Sequence, residues 1–451
     1  MLIPQIDKQL GIDAYATKTE GTGGYIKQSA EDFVVEEQLV DGSKASITGV
    51  FPDRVIGSSA RKQRFLLCLM IKRNWDTFIA AKNVAKFLGI DQACVQFAGI
   101  KDAKALTAQY VTIENIAPEN VTQAILKGIK LTPVGYVREM MSLFYLLGNN
   151  FSITIRNADL PEENIKEQVD KTIQELTAQG GIPNYFGHQR FGTTRPITHL
   201  VGKALYQGAF EKAAMLFLAK PSPYEHPESR KARQQLEETH DFKRAKDNYP
   251  KQLRFERMML CHLAEHPTDY IGAFQRLPQK LQALFVQAHQ SYLFNRFLSE
   301  RLKQGLPLKE AVIGDFVVGV ERSGLPLTTV DKVVTAENLA QVNAAVNTGR
   351  MRVAMPIYGM RQKLSGGEIG EIERKVLATE GIGDEPVWLN ELSRIGGKGG
   401  LRTISAPVKD FKLLSATDNI LQVNFMLLRG CYATIFLREL MKPKDPVSTG
   451  F

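Results

Sequence analysis

The sequence predicts an α+β protein whose first and last segments form one domain around an inserted second domain. Three observations carry this. Two-residue alternation of apolar side chains and helical stripes are interspersed along the 451 residues. The texture changes after the aromatic- and glycine-rich stretch 184–192. Close to the end, a strand pattern and a helix pattern resume the texture of the first half.

The elements follow in order. Asp76 can cap a helix running to Leu88, with Ala80, Val84 and Leu88 on one stripe and Gly89 as its stop. Residues 95–98 and 110–113 read as strands, and Lys101-Asp102 sits in the connection between them, where catalytic groups often lie. Residues 151–156 alternate as a half-buried strand. A helix follows, opened by Pro161, striped by Ile165, Val169, Ile173 and Leu176 and ended by Gly180-Gly181. Beyond residue 192 come a charged helical stretch, an amphipathic helix over 284–302 and a strand over 315–320. Leu421, Val423, Phe425 and Leu427 alternate as a late strand, and residues 432–442 read as helix.

Composition narrows the class. With 44% hydrophobic and 23% charged residues the chain is ordinary globular protein, long enough for two or three domains. No apolar run approaches the roughly 20 residues that span a bilayer. The start, Met1-Leu2-Ile3-Pro4-Gln5-Ile6-Asp7, lacks the basic flank and apolar stretch of a signal peptide, so a cytoplasmic protein is expected. Cys68, Cys94, Cys261 and Cys431 lie far apart and read as reduced core thiols. A net charge of +9 and a pI near 9.2 favour a polyanionic partner, most commonly nucleic acid. The stretch 220–257 carries ten basic and seven acidic residues and reads as solvated helix faces.

Several short motifs are set aside. Gly21-Thr22-Gly23-Gly24 follows no strand and opens no helix. Gly396-Gly397-Lys398-Gly399-Gly400 has no Ser or Thr after its lysine, and Leu392 stands where a P-loop needs glycine. Leu364-Ser365-Gly366-Gly367-Glu368 imitates a transporter-ATPase signature without that loop. His262-Leu263-Ala264-Glu265-His266 has the order of an inverted zinc-peptidase motif, but Pro267 follows at once, so solvated helix-end histidines are expected and no metal.

Four segments are telling as a set. They are Lys27-Gln28-Ser29-Ala30-Glu31-Asp32-Phe33-Val34-Val35-Glu36-Glu37; Phe97-Ala98-Gly99-Ile100-Lys101-Asp102-Ala103-Lys104-Ala105-Leu106-Thr107-Ala108-Gln109; Leu147-Gly148-Asn149-Asn150-Phe151; and Asn184-Tyr185-Phe186-Gly187-His188-Gln189-Arg190-Phe191-Gly192. In this order the set resembles the pseudouridine synthase D family, which acts on tRNA. The resemblance resumes at Ala288-His289-Gln290-Ser291-Tyr292-Leu293-Phe294-Asn295 and at Gly430-Cys431-Tyr432-Ala433-Thr434 with Leu437-Arg438-Glu439-Leu440.

The resemblance implies a mixed, largely antiparallel sheet flanked by helices, with residues 1–190 and 400–451 as the catalytic domain and 191–399 as an inserted α+β domain. It places the catalytic aspartate on Asp102. Lys27, Phe33, Lys101, Asn149, Phe151, Gln189 and Arg190 fall on substrate-binding positions, with Asn149 contacting the base and Phe151 stacking on it. It further implies tRNA as partner, uridine 13 as target, no nucleotide cofactor, no membrane association and a monomer.

The reaction suits these residues. Pseudouridylation breaks the bond from ribose C1′ to uracil N1 and rejoins C1′ to C5, with no redox change and no cofactor. It needs an ionised carboxylate as nucleophile or proton acceptor; a cationic neighbour would favour that charged form, and Lys27 is the best candidate. The uridine must leave its stack, and an aromatic face offsets roughly 1–3 kcal/mol per base. Two positions depart from the family pattern. Ala103 stands where a basic residue often follows the aspartate, and Ala30 stands where proline is frequent. A non-catalytic RNA-binding protein has no use for a shielded carboxylate facing an anionic ligand, and a methyltransferase would need a glycine-rich cofactor loop after a strand.

Overall fold

The computed structural model describes residues 2–124, 126–383, 397–417 and 419–451. The chain divides into two compact units: Thr17–Ile182 with Glu321–Leu325 and Ala406–Phe451, and Met1–Ala16 with Pro183–Val320 and Pro326–Ser405. Residues 2–16 and 183–190 therefore group with the second unit. Local bonds explain this: Asp7 Oδ1 is 2.7 Å from His188 Nε2, and Ser299 Oγ donates to the Gly11 carbonyl at 2.7 Å. Leu392 and Gly396, weighed above, lie outside the described residues.

The first unit is built on an eight-stranded sheet. Its strands are β1 (Phe33–Leu39), β2 (Phe65–Arg73), β3 (Val95–Phe97), β4 (Leu106–Glu114), β5 (Ile129–Val137), β6 (Leu146–Ile155), β7 (Lys409–Thr417) and β8 (Ile420–Leu428). They lie in the order β7-β8-β6-β1-β4-β2-β5, and β3 shares with β1 one edge of β4. Of the pairings described, β1–β4 is parallel and the rest are antiparallel, so the sheet is mixed and largely antiparallel.

Strand β2 reads as an almost unbroken apolar run because both its faces are covered. Leu66, Cys68 and Met70 pack with Ala80, Ala81, Val84 and Ala85 of helix α1 (Thr77–Leu88). Leu67 and Leu69 pack on the opposite face with Leu39, Val55 and Tyr110. The Asp76 carboxylate accepts from the N–H groups of Phe78 at 2.8 Å and Ile79 at 3.0 Å, and Gly89 ends the helix at φ 66°. Helix α2 (Glu162–Ala178) follows Pro161 as expected, with Ile165, Val169 and Leu176 buried. Helix α3 (Ala433–Met441) is buried throughout, and its Phe436 ring lies 4.4 Å from that of Phe425 on β8.

The second unit combines a helical cluster, Thr198–Tyr206 to Gln279–Lys303, with a four-stranded antiparallel sheet. That sheet runs Gly400–Thr403, Met351–Ile357, Phe316–Val320, Pro326–Val333. The long helix Gln279–Lys303, expected to be amphipathic, buries polar residues as well. It can do so because they are paired: Arg301 meets Asp315 at 2.6 and 2.9 Å, and Asn295 donates to the Phe186 carbonyl at 3.0 Å. The charged stretch 220–257 is likewise not all solvated, since buried Arg233 pairs with Glu225 and Glu256 at 2.9 and 2.7 Å. His262 is buried and 2.7 Å from Asp269, rather than solvated at a helix end, and Cys261 is exposed rather than in the core. Among the described residues no helix is long and apolar enough to cross a membrane, and no group of three His, Cys, Asp or Glu is placed to hold a metal ion.

Candidate active site

One face of the first unit's sheet gathers polar side chains that a hydrophobic core would exclude. Strand alternation puts Glu37 on β1, Thr107 and Gln109 on β4, Lys72 on β2 and Asn149 on β6 toward that face. Glu37, Lys72, Thr107 and Gln109 are fully buried. The connection from β3 to β4 carries Lys101 and Asp102 to them.

Asp102 keeps its side chain 29% exposed, and its Oδ1 lies 3.2 Å from Lys27 Nζ. Lys27 reaches it from a strained backbone. Its φ is +58°, a left-handed value that costs a side-chain-bearing residue roughly 1–2 kcal/mol. The neighbours hold it there. Tyr25 and Arg156 exchange main-chain hydrogen bonds at 2.8 and 2.9 Å, and the Asp32 carboxylate accepts from Ser29 N–H at 2.8 Å. Arg156 closes on Asp32 at 2.7 Å. Burial alone would raise the Asp32 carboxyl, but the bonds from Arg156 and Ser29 outweigh it and hold it below its usual range.

Aromatic rings flank this pair. The Lys27 ammonium sits 4.4 Å above the Phe33 ring, Phe33 meets Phe151 edge-on at 6.2 Å, and Phe151 stacks on Phe425 at 5.1 Å. Phe151, expected as a stacking face for a base, is itself stacked and only 5% exposed. Gly148 precedes it because β8 passes close by: a Cβ there would lie 2.2 Å from the Leu427 carbonyl oxygen. Asn149 Oδ1 is buried with no hydrogen-bond partner among the described residues.

Lys101 faces inward. Its Nζ is 2.7 Å from Glu37 Oε1, with both side chains almost fully buried, and the approach is an ion pair off the hydrogen-bond axis. Glu37 Oε2 accepts from Tyr110 N–H at 2.9 Å. Thr77, opening α1, accepts from Lys101 N–H at 3.0 Å. Lys27, Phe33, Lys101, Asp102, Asn149 and Phe151 thus all belong to the first unit. Gln189 and Arg190 belong to the second, where Gln189 is exposed and Arg190 donates to Ser291 Oγ and Gln287 Oε1 at 3.2 Å each.

Two residues with no role assigned from the sequence, Lys72 and Glu37, are central to this arrangement. The signal for Lys72 was a cation directly after the apolar run Phe65–Ile71, still within a strand buried on both faces. Burial pulls its ammonium down to about 8, against the opposing influence of Asp102 and Asp76.

Comparison with known proteins agrees over nearly the whole chain. Residues 9–440 match the family model described as tRNA pseudouridine synthase D. A protein of Methanosarcina acetivorans named a probable tRNA pseudouridine synthase D is 38% identical over 452 residues, covering 99% of each chain. One of the same name from Pyrococcus abyssi is 37% identical over 429 residues, covering 95% of this chain and 98% of its own. The crystal structure of the protein assigned as tRNA pseudouridine synthase D in Methanosarcina mazei superposes with a TM-score of 0.82 at 37% identity, covering 99% of this chain and all of that one. With its mixed sheet, its helices and its sequence matched from end to end, the chain belongs to the tRNA pseudouridine synthase D family of isomerases.

Proposed function

We propose that this enzyme converts uridine 13 of its tRNA to pseudouridine with Asp102 as the catalytic carboxylate. The observation that carries the reading is the contact between Asp102 and Lys27: a carboxylate open enough to be reached, paired at 3.2 Å with an ammonium held on a strained backbone. The carboxylate acts at the ribose C1′ region, as nucleophile or as acceptor of a sugar proton, while the freed uracil turns and rejoins through C5.

The surrounding residues have matching roles in this reading. Asn149 Oδ1, buried and without a hydrogen-bond partner among the described residues, suits the N3–H of uracil. Phe33 and Phe151 form an aromatic wall for the extruded base, and Lys101 braces the catalytic loop through Glu37. Gln189 and Arg190 contact tRNA from the second unit, residues 191–399 serve as the family-specific insert, and the net charge of +9 favours the polyanion. The enzyme works in the cytoplasm as a monomer, with no nucleotide cofactor. The test is Asp102→Asn: it folds and binds tRNA but forms no pseudouridine when treated tRNA is mapped by chemical labelling. Full activity in that variant would discard the assignment, and a wild-type protein that binds tRNA without modifying it would favour an RNA chaperone.

A further inference from the structure

Lys72 stands near the end of β2 with no exposed surface. Its three ammonium protons meet three main-chain carbonyls: Trp75 at 2.6 Å, Asp102 at 2.9 Å and Lys101 at 3.5 Å. Desolvating an ammonium is costly, and an apolar side chain of similar length would fill this strand end at a lower cost. Two of these carbonyls, those of Lys101 and Asp102, belong to the segment bearing Asp102, and the third, that of Trp75, lies between β2 and α1. The segment bearing Asp102 is fixed from two other sides, by Thr77 on the Lys101 N–H and by Glu37 on the Lys101 side chain. What is left facing outward is the Asp102 carboxylate, opposite Lys27.

We propose that Lys72 is a positioning residue for pseudouridylation: its ammonium clamps the Lys101 and Asp102 carbonyls and so fixes the direction of the Asp102 carboxylate. This rests on the assignment of Asp102 made above. A displacement of about 1 Å in a reacting group can cost about 100-fold in rate, so a clamp on the main chain of the carboxylate-bearing residue itself acts where geometry counts most.

The clamp works while Lys72 is charged. Burial lowers its proton affinity to about 8, Asp102 of the loop and Asp76 at the head of α1 raise it, and Lys101 lowers it further. Glu37 faces this group from β1 through Lys101, and Lys27 faces it through Asp102. Once neutral, the amine turns its lone pair toward one of the three carbonyl oxygens, and that carbonyl is released. A rise in pH should therefore slow the reaction through Lys72 without weakening the hold on tRNA.

The experiment uses the full chain and unmodified tRNA, measuring single-turnover rate and tRNA dissociation constant from about pH 7 to about pH 9. Lys72→Met is expected to lose about 100-fold in rate at neutral pH, with the dissociation constant kept within about threefold. The wild-type rate should fall through about pH 8, and the residual rate of Lys72→Met should not. A wild-type rate in Lys72→Met, an alkaline fall that persists in it, or affinity lost in step with rate would each overturn the proposal. If Lys72→Met gives no cooperative melt, Lys72→Gln and the wild-type profile decide, and a wild-type rate constant across this range overturns it. Activity in Asp102→Asn would be a separate failure, that of the Asp102 assignment.

Discussion

The Lys27 ammonium makes two contacts at once, 3.2 Å from Asp102 Oδ1 and 4.4 Å above the centre of the Phe33 ring. Ion pair and ring face together fix a flexible side chain that alone would sample many rotamers. The charge partner of Asp102 is therefore held in place by the protein itself.

Replacing Lys27 with methionine keeps the contact with Phe33 and removes the charge. Single-turnover rate should fall by about 100-fold, the scale seen when one electrostatic group of an active site is deleted. Binding of tRNA, spread over many phosphates, should change far less. An unchanged rate in Lys27→Met would show that the pair is a surface ion contact with no part in the reaction.

Phe151 is packed in the core and is also proposed to face the base, and a single substitution can confuse the two. Because it is buried and stacked on Phe425, Phe151→Ala should cost about 3–5 kcal/mol of stability, readable by chemical denaturation. Phe151→Leu keeps most of the volume and should cost less than about 1.5 kcal/mol. In that variant, modification should slow much more than tRNA binding weakens. Equal losses in both would make Phe151 scaffold.

His199 and His289 lie buried in the second unit, and burial pulls them down to about 4 and about 3. Their folded-state values lie below those of the unfolded chain, near 6.5. The unfolded chain thus takes up protons first as pH falls, and the stability present above about pH 6.5 is lost progressively toward pH 4 and below. Melting temperature should drop over that window, and the drop should be shallower in a His289→Phe variant. An identical slope in both proteins would place the acid sensitivity elsewhere.

Asp76→Ala removes the cap of α1, whose first residue, Thr77, holds the Lys101 main chain. The expected loss is about 0.5–2 kcal/mol by urea denaturation. A modest slowing of the reaction should accompany it, because the loop bearing Asp102 loses part of its anchor. Unaltered stability would mean that solvent replaces the cap.

Local signals wrote much of this protein into its sequence. The Asp76 cap, the Gly89 stop, the Pro161 start and the alternation of residues 421–427 are contacts among near neighbours, and each reappears where the chain placed it. The mixed, largely antiparallel sheet and the family followed from motifs in a fixed order. Other features depend on partners far along the chain. Residues 2–16 join the second unit because Asp7 and Gly11 find partners at His188 and Ser299. Helix Gln279–Lys303 lacks a clean stripe because distant groups such as Asp315 satisfy its buried polar side chains.

The candidate site divides along the same line. The sequence alone singled out the residues proposed to carry the chemistry: Asp102 in a loop between strands, Lys27 before β1, Asn149 and Phe151 on β6. Only the tertiary structure decided that Lys27 faces Asp102, that Phe151 is already stacked, and that Lys72 and Glu37 brace the segment bearing Asp102 from beneath. The reason is physical. Residue type sets what a group can do, but desolvation and pairing depend on what the sheet brings alongside it, and strands β1, β2, β4 and β6 meet on one face only once the chain has folded.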